Sequence, residues 1–421
     1  MTIEAPLADA LEWLFRTRAP SAVDTKAREV MLDTFGCVLA ARRHPEVAAF
    51  EKALQATDPG SVSSAAAIFA AAACWDEACE GLARAHGRPG LTVLGACHAL
   101  ARTRPCSLDE VLAAYVTGYE IGGRLGESMR VGPGMHVDGA WPCFGVAAAV
   151  VRLLGGNAAQ ALAAIRIAAC QMPYSLYLPV AAGANARNVY LSHASQLGML
   201  AASAALGGIA APAGALEELR SRALAGAPPA PTLAPPGDWL ILDAYLKPYA
   251  AARHVHYGAA AAMALRPGLA GGLNRVSRVR LSTYAEALAY CGIRAPHSAI
   301  QAQFSLSYGV ACALATGELV PDSYALQILG NPEIKALEGK TELEENASLT
   351  RAGRRGATLV VELDGQKFEH TVERVTGDPA MPMTRAELLA KFARYSGLAP
   401  DKGKEFLEAP GDGRFAPLSS P

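Results

Sequence analysis

At 421 residues the chain is long enough for two to three domains, because a single core rarely grows past roughly 250–300 residues. Hydrophobic residues make up 51%, charged residues 18% and aromatics 6%, which describes an alanine-rich helical protein with a large core and excludes wholesale disorder. The formal charge of -1, from 38 basic and 39 acidic residues, supplies no global field for nucleic acid or an anionic membrane, so any anion must be met by a local site.

The first residues, with Glu4, Asp9 and Glu12, lack the basic start and apolar run of a signal peptide, and a cytoplasmic location is the default expectation. From Leu7 to about residue 225 the pattern predicts helix after helix. Apolar residues recur at three- and four-residue intervals in Val30–Ala41, Leu108–Arg124, Val146–Leu154 and Ala161–Ala169, and no alternating strand interrupts the run. Mean hydropathy is +0.17, and Leu197 to Leu216 carries no charge. That stretch is built from Ala and Gly and is broken by Gly207, Gly208 and Pro212, so it reads as a buried core helix rather than a membrane span. Gly226 to Gly237 concentrates prolines and marks a boundary loop. Beyond it Val276–Leu281 reads as a strand, Ala357–Leu363 and Lys367–Val372 about Asp364-Gly365 as a hairpin, and Ser298–Thr316 as a helix. Thr384 to Glu387 forms a capping box that opens a last helix. The expected organisation is an all-helical domain over 1–245, a smaller α+β domain over 246–376, and a C-terminal helix and tail over 377–421 that packs back on the first domain.

Nine cysteines without a C-x-x-C pair give little support to a disulfide framework, a zinc ribbon or an iron–sulfur cluster. A Gly-rich phosphate loop, an H-E-x-x-H helix and a G-x-S-x-G elbow are also lacking. Two segments gather titratable groups instead. Gly134-Met-His136-Val-Asp138 places a histidine in a glycine-rich turn before an apolar helix, where it could serve proton transfer or simply bond nearby backbone. Lys247, Arg253, His254 and His256 cluster just past the proline-rich boundary, and a domain junction is a common place for a ligand cleft. An i, i+2 histidine pair with no third ligand close by is weak evidence for a metal. Arg88 and Arg187 read as ordinary surface arginines when taken alone.

In order along the chain, Asp33-Thr-Phe-Gly36, Thr117-Gly-Tyr-Glu120 with Arg124, His136 with Gly145, Lys247 with His256, Gln303-Phe-Ser-Leu-Ser-Tyr308, and Gly377-Asp-Pro379 leading to Lys391-Phe392 resemble the motifs of the MmgE/PrpD family. That family includes 2-methylcitrate dehydratase, cis-aconitate decarboxylase and iminodisuccinate epimerase. The resemblance runs nearly end to end. It implies a mainly α fold, with a large all-helical domain and a smaller α+β lid, a homodimer, and a metal-free, cofactor-free site between the domains for small polycarboxylates. Departures are also plain. Cys74, Glu77, Cys79 and Glu80 stand at the polar positions of a histidine–aspartate motif, Arg88 stands where a histidine precedes proline, Asp138 replaces a threonine, Arg187 falls near a lysine position, and Ala250 and Ala252 replace a proline and a cysteine or histidine.

Carried over residue by residue, the resemblance implies His136, Lys247, His256 and Tyr308 as catalytic residues, with Arg88 and Arg187 holding substrate carboxylates and Glu77, Glu80 and Asp138 lining the binding site. The reaction expected is proton abstraction next to a carboxylate, most simply a dehydration; decarboxylation and epimerisation need the same cations. A polycarboxylate-binding or accessory protein without chemistry is the alternative from another class. Glu77 and Glu80, three apart on an expected helix, should share one face, with at least one directed at Arg88. Activity is expected to require the dimer and closure of the smaller domain over segments near 88, 136, 187, 247 and 308. No nucleic acid or membrane partner is expected.

Overall fold

The computed structural model describes residues 3–173, 175–224, 233–269, 271–416 and 418. Most of the proline-rich stretch expected as a boundary, residues 225–232, lies outside them.

The fold is mainly α. Helices Ser21–Ala41, Val62–Cys74, Gly90–Thr103, Leu108–Ser128, Pro142–Leu153, Ala158–Ala169 and Tyr190–Leu206 build the first part of the chain. Small side chains let these helices approach closely. Gly118 on the Leu108–Ser128 helix faces Gly145 on the Pro142–Leu153 helix, and a Cβ on Gly118 would lie 2.7 Å from the carbonyl oxygen of Gly145. The uncharged Tyr190–Leu206 helix packs against the Val62–Cys74, Pro142–Leu153 and Ala158–Ala169 helices, which explains its composition. Among the described residues no helix is long and apolar enough to cross a membrane.

Two short strands, β1 (Gly81–Leu82) and β2 (Ala244–Tyr245), pair antiparallel and bring the loop after the Val62–Cys74 helix beside the Lys247 segment. The first of them interrupts what the periodicity reads as unbroken helix. Strands β3 (Val276–Thr283), β4 (Thr341–Glu345), β5 (Ala357–Leu363) and β6 (Gln366–Val372) form a mixed sheet in the order β4-β3-β5-β6. β5 and β6 are the expected hairpin, with Asp364 and Gly365 both at positive φ in its two-residue turn. β4 pairs parallel with β3; its sequence, TELEE, carries too few apolar residues to announce a strand. The expected Ser298–Thr316 helix is broken into Ala299–Gln303 and Leu306–Thr316, because the Ser305 hydroxyl accepts from Tyr308 N and starts a new helix there.

Helix Val255–Leu265 packs on Leu306–Thr316 and against β5 and β6. Thr384 caps helix Arg385–Ser396 through a capping box with Glu387. That helix lies on Ser21–Ala41, with Phe392 against Gly36 and Lys391 Nζ 2.5 Å from Asp33 Oδ1.

Gly377 shows how tightly the Lys247 segment is held. It has φ +93°, its N–H and C=O bond Met381 and Leu246, and a Cβ there would run into the Leu246 carbonyl. A Gly377→Ala variant is expected to lose roughly 1–3 kcal/mol from overpacking and the left-handed backbone together. Urea titration checks this, and an unchanged midpoint would dismiss the close approach.

Candidate active site

A cleft of about 230 Å³ opens between the loops that follow the Val62–Cys74 and Leu108–Ser128 helices and the segments around Lys247, Glu286 and Arg355. Six cationic side chains line it (Arg88, Arg130, Arg187, Lys247, Arg253 and Arg355) against three carboxylates (Glu77, Asp138 and Glu286), an excess of three positive charges. The cleft lining is thus net positive although the chain as a whole is close to neutral.

Its floor is a buried ionic cluster centred on Glu77. The helix before it ends at Cys74, and Glu77 takes a left-handed conformation, φ +52°, that a non-glycine residue adopts only when its surroundings hold it there. Glu77 and Glu80 consequently do not share a helix face, which corrects that expectation. Glu77 Oε1 accepts from Arg88 at 2.6 Å and also from Arg187, while Oε2 and the backbone carbonyl each accept from Lys247 Nζ at 2.8 Å. Burial would raise this carboxyl, but the charges of Arg187, Arg88 and Lys247 overcome it and hold the group well below the usual range. Lys391 anchors the same loop from behind by donating to the Ala78 carbonyl at 2.7 Å.

Asp138 is the second internal counter-ion. Arg88 donates to it, and Arg187 lies 3.4 Å away. Arg187 is further held by Cys74 O at 3.3 Å and Asn188 Oδ1 at 3.0 Å, with its guanidinium over the Phe304 ring. His136 lines the cleft, and its Nδ1 accepts from the Asp138 backbone N–H at 3.2 Å. Burial, aided by Arg187 and Arg88 against the pull of Asp138, lowers its pKa to about 4, so the ring is neutral at pH 7.

The other expected residues are placed differently. Glu80 lies behind the cleft, where it accepts from Gly90 N at 2.8 Å at the start of helix Gly90–Thr103 and from the Tyr119 hydroxyl at 3.4 Å. Burial pushes its carboxyl up to about 8. An acid with a raised folded pKa binds extra protons when folded, so wild-type stability relative to Glu80→Gln is expected to fall as pH rises from about 4.5 towards 8 and to level off above that. Thermal melts of both proteins at pH 5, 7 and 9 test it; parallel curves would remove the claim. Tyr308 and His256 do not line the cleft, which corrects the inference that all of the expected catalytic residues meet there. The Tyr308 hydroxyl donates to Ser323 O at 2.5 Å, and His256 Nε2 bonds Ala251 O at 3.1 Å, with both side chains buried by the packing of their helices. His254 and His256 point to different partners, and among the described residues no group of three His, Cys, Asp or Glu side chains could hold a metal ion.

Several lining residues were not singled out from the sequence as site residues. Arg253 pairs with Asp378 and lies 5.2 Å from the ring centres of both Tyr245 and Tyr257. His254 bonds Tyr284, and Arg355 faces Glu286 at 3.6 Å. Arg253 and His254 could have been found within the Lys247–His256 cluster. Arg130, Arg355, Tyr177 and Tyr290 carry no local signal. Among the described residues four buried guanidinium nitrogens, one each on Arg42, Arg130, Arg187 and Arg253, have no hydrogen-bond partner; the last three arginines line this cleft and Arg42 does not.

Residues 6–223 match the family model of the MmgE/PrpD N-terminal domain, and residues 249–408 match that of the MmgE/PrpD C-terminal domain. No curated protein matches the chain. The chain belongs to the MmgE/PrpD family, which includes dehydratases and related enzymes and suggests a lyase-like role on small organic acids.

Proposed function

We propose that this chain is a lyase that removes a proton next to a carboxylate of a small di- or tricarboxylic acid and expels water from the neighbouring carbon. The observation that carries this reading is the excess of positive charge among the side chains that line the cleft, with Arg88, Arg187 and Lys247 meeting at its floor. Fixed cations in a concave site are the groups that bind a substrate carboxylate. Abstraction of an α-proton builds charge on that carboxylate, so the same fixed cations stabilise the transition state more than the ground state. Neutral histidines on the cleft provide the acid–base group, and Lys247 adds a positive charge beside the reacting carbons.

Decarboxylation and epimerisation use the same cations. A second reading has its own support: Arg88 and Arg187 are already neutralised by Glu77 and Asp138, as they would be in a protein that binds acids without transforming them. Incubation with citrate, methylcitrate, aconitate and aspartate-derived acids in heavy water separates the two. Exchange at the acidic carbon supports chemistry; saturable binding without exchange or turnover for every acid selects the binding protein.

A cytoplasmic location is part of the same reading, supported by nine cysteines that are all free. So is a homodimer, as the resemblance to the family implies. We divide the chain at 245/246 and 376/377, a reading supported by the four-stranded sheet's lying wholly within 276–372.

A further inference from the structure

Apart from its charged groups the cleft is poor in polar side chains. Among the described residues its lining holds no Ser, Thr, Asn or Gln. Met129, Val131, Met135 and Val137, from the loop after the Leu108–Ser128 helix, line it together with the rings of Tyr177 and Phe304. These segments are tied to one another: Tyr177 N–H donates to Gly134 O at 2.8 Å, Met135 and Leu176 form an antiparallel bridge, and Tyr177 meets Phe304 edge-on at 6.4 Å. The Tyr177 hydroxyl is engaged as a donor to Tyr290 O at 2.9 Å. Val131, Met135, Val137 and Tyr177 are only half-buried, so the wall keeps apolar surface that internal packing does not cover.

The excess of positive charge is smaller than the lining alone suggests, and it is divided between two places. Arg253 is paired with Asp378, which does not line the cleft, and Arg355 faces Glu286. On the floor Arg88, Arg187 and Lys247 share two carboxylates, Glu77 and Asp138, which leaves one positive charge there. Arg130 supplies the other. It donates to the Arg84 carbonyl at 3.1 Å, and the carboxylates whose charge reaches it, Glu127 and Glu286, are paired with Arg84 and Arg355 instead. The histidines on the cleft, His86, His136 and His254, are all lowered, first by burial, and add no charge at pH 7.

We infer that the substrate is a dicarboxylate that carries a hydrocarbon group, alkyl or aryl, where a citrate-type acid carries a third carboxylate. Two cations not balanced within the protein suit two carboxylates, one on the floor beside Arg187 and Lys247 and one at Arg130. A third carboxylate would leave water for a wall that offers neither a spare cation nor an amide side chain, which is costly. A hydrocarbon arm on the same wall gives up no hydrogen bonds, and each methylene it buries is worth about fourfold in affinity. The lyase reading above supplies only the premise that this cleft is the substrate site.

Calorimetry on the full-length protein with succinate, propylsuccinate, tricarballylate and benzylsuccinate tests this, because all of them share the succinate core. Tricarballylate and benzylsuccinate differ only in whether the added methylene bears a carboxylate or a phenyl ring. Benzylsuccinate is expected to bind about 10-fold or more tighter than succinate and tricarballylate, with propylsuccinate between succinate and benzylsuccinate. In Met135→Ser the advantage of benzylsuccinate over succinate should shrink about fivefold. The second carboxylate is tested with 3-phenylpropanoate, which is benzylsuccinate without its carboxymethyl arm. It should bind the wild type about 10-fold more weakly than benzylsuccinate, the worth of a hydrogen bond to a charged group, and Arg130→Gln should erase most of that difference. Tricarballylate binding as tightly as benzylsuccinate, an Arg130→Gln variant that keeps the full difference, or no binding of any of these acids overturns the proposal. Melting curves show whether each variant is folded, and the wild-type comparison decides where one is not. If benzylsuccinate binds as expected but neither it nor any acid named above exchanges hydrogen in heavy water, the lyase reading falls and the specificity stands.

Discussion

A Glu77→Gln variant is expected to lose about 3–5 kcal/mol of unfolding free energy at pH 7, the usual cost of removing one partner from a buried ionic cluster. Arg88, Arg187 and Lys247 all meet this carboxylate, and with Asp138 the only other carboxylate among the described residues bonded to the cluster, its loss leaves three buried cations facing one anion. The sign with pH is fixed. Because the Glu77 carboxyl is depressed in the folded protein, its contribution is present above the ordinary glutamate range and is lost as pH falls through the folded value. The gap between wild type and variant should therefore narrow in acid. Added succinate should stabilise the variant more than the wild type, since it can supply the missing charge. Denaturant titrations at pH 7 and pH 4 measure this, and a loss below about 1 kcal/mol at pH 7 would show that the cluster is not the electrostatic centre described.

For Arg187→Ala the expected large effect is on turnover. Arg187 lines the cleft together with His136, so kcat/KM on any acid that the wild type exchanges should fall about 10²- to 10³-fold, as when a fixed donor to a developing oxyanion is removed. Stability should suffer less than in the Glu77 variant, because Arg88 and Lys247 still neutralise Glu77. Arg187→Lys should not rescue the rate. One ammonium cannot reproduce a fork that bonds Cys74 O, Asn188 and Glu77 in fixed directions. Retention of more than a tenth of the wild-type kcat/KM in Arg187→Ala would remove this residue from the substrate site.

Much of the architecture is legible locally. Three- and four-residue apolar spacing places the helices of the first half, Asp364-Gly365 places the β5–β6 turn, and Thr384 with Glu387 places the start of the last long helix, because each signal is short-range backbone chemistry. The order of the motifs from Asp33 to Lys391 is likewise enough to identify the family that the domain matches bear out. The cleft is legible only in part. Arg88, His136, Arg187 and Lys247 stand out because their segments resemble the family's, and all four line it.

What sequence could not decide is which groups neutralise which. Lys247 meets Glu77 across 170 residues, Arg187 meets it across 110, and the left-handed backbone at Glu77 that permits both exists only once the surrounding helices are packed. Tyr308 and His256 carry the residue types that chemistry needs, yet each satisfies a buried carbonyl elsewhere, while Arg130 and Arg355, unremarkable in their own segments, face the cleft. Helix propensity and turn geometry depend on neighbours a few residues away, so they can be read from the chain. Charge compensation in a low-dielectric interior depends on distances of a few ångströms between remote segments, and those are set only when the tertiary structure forms.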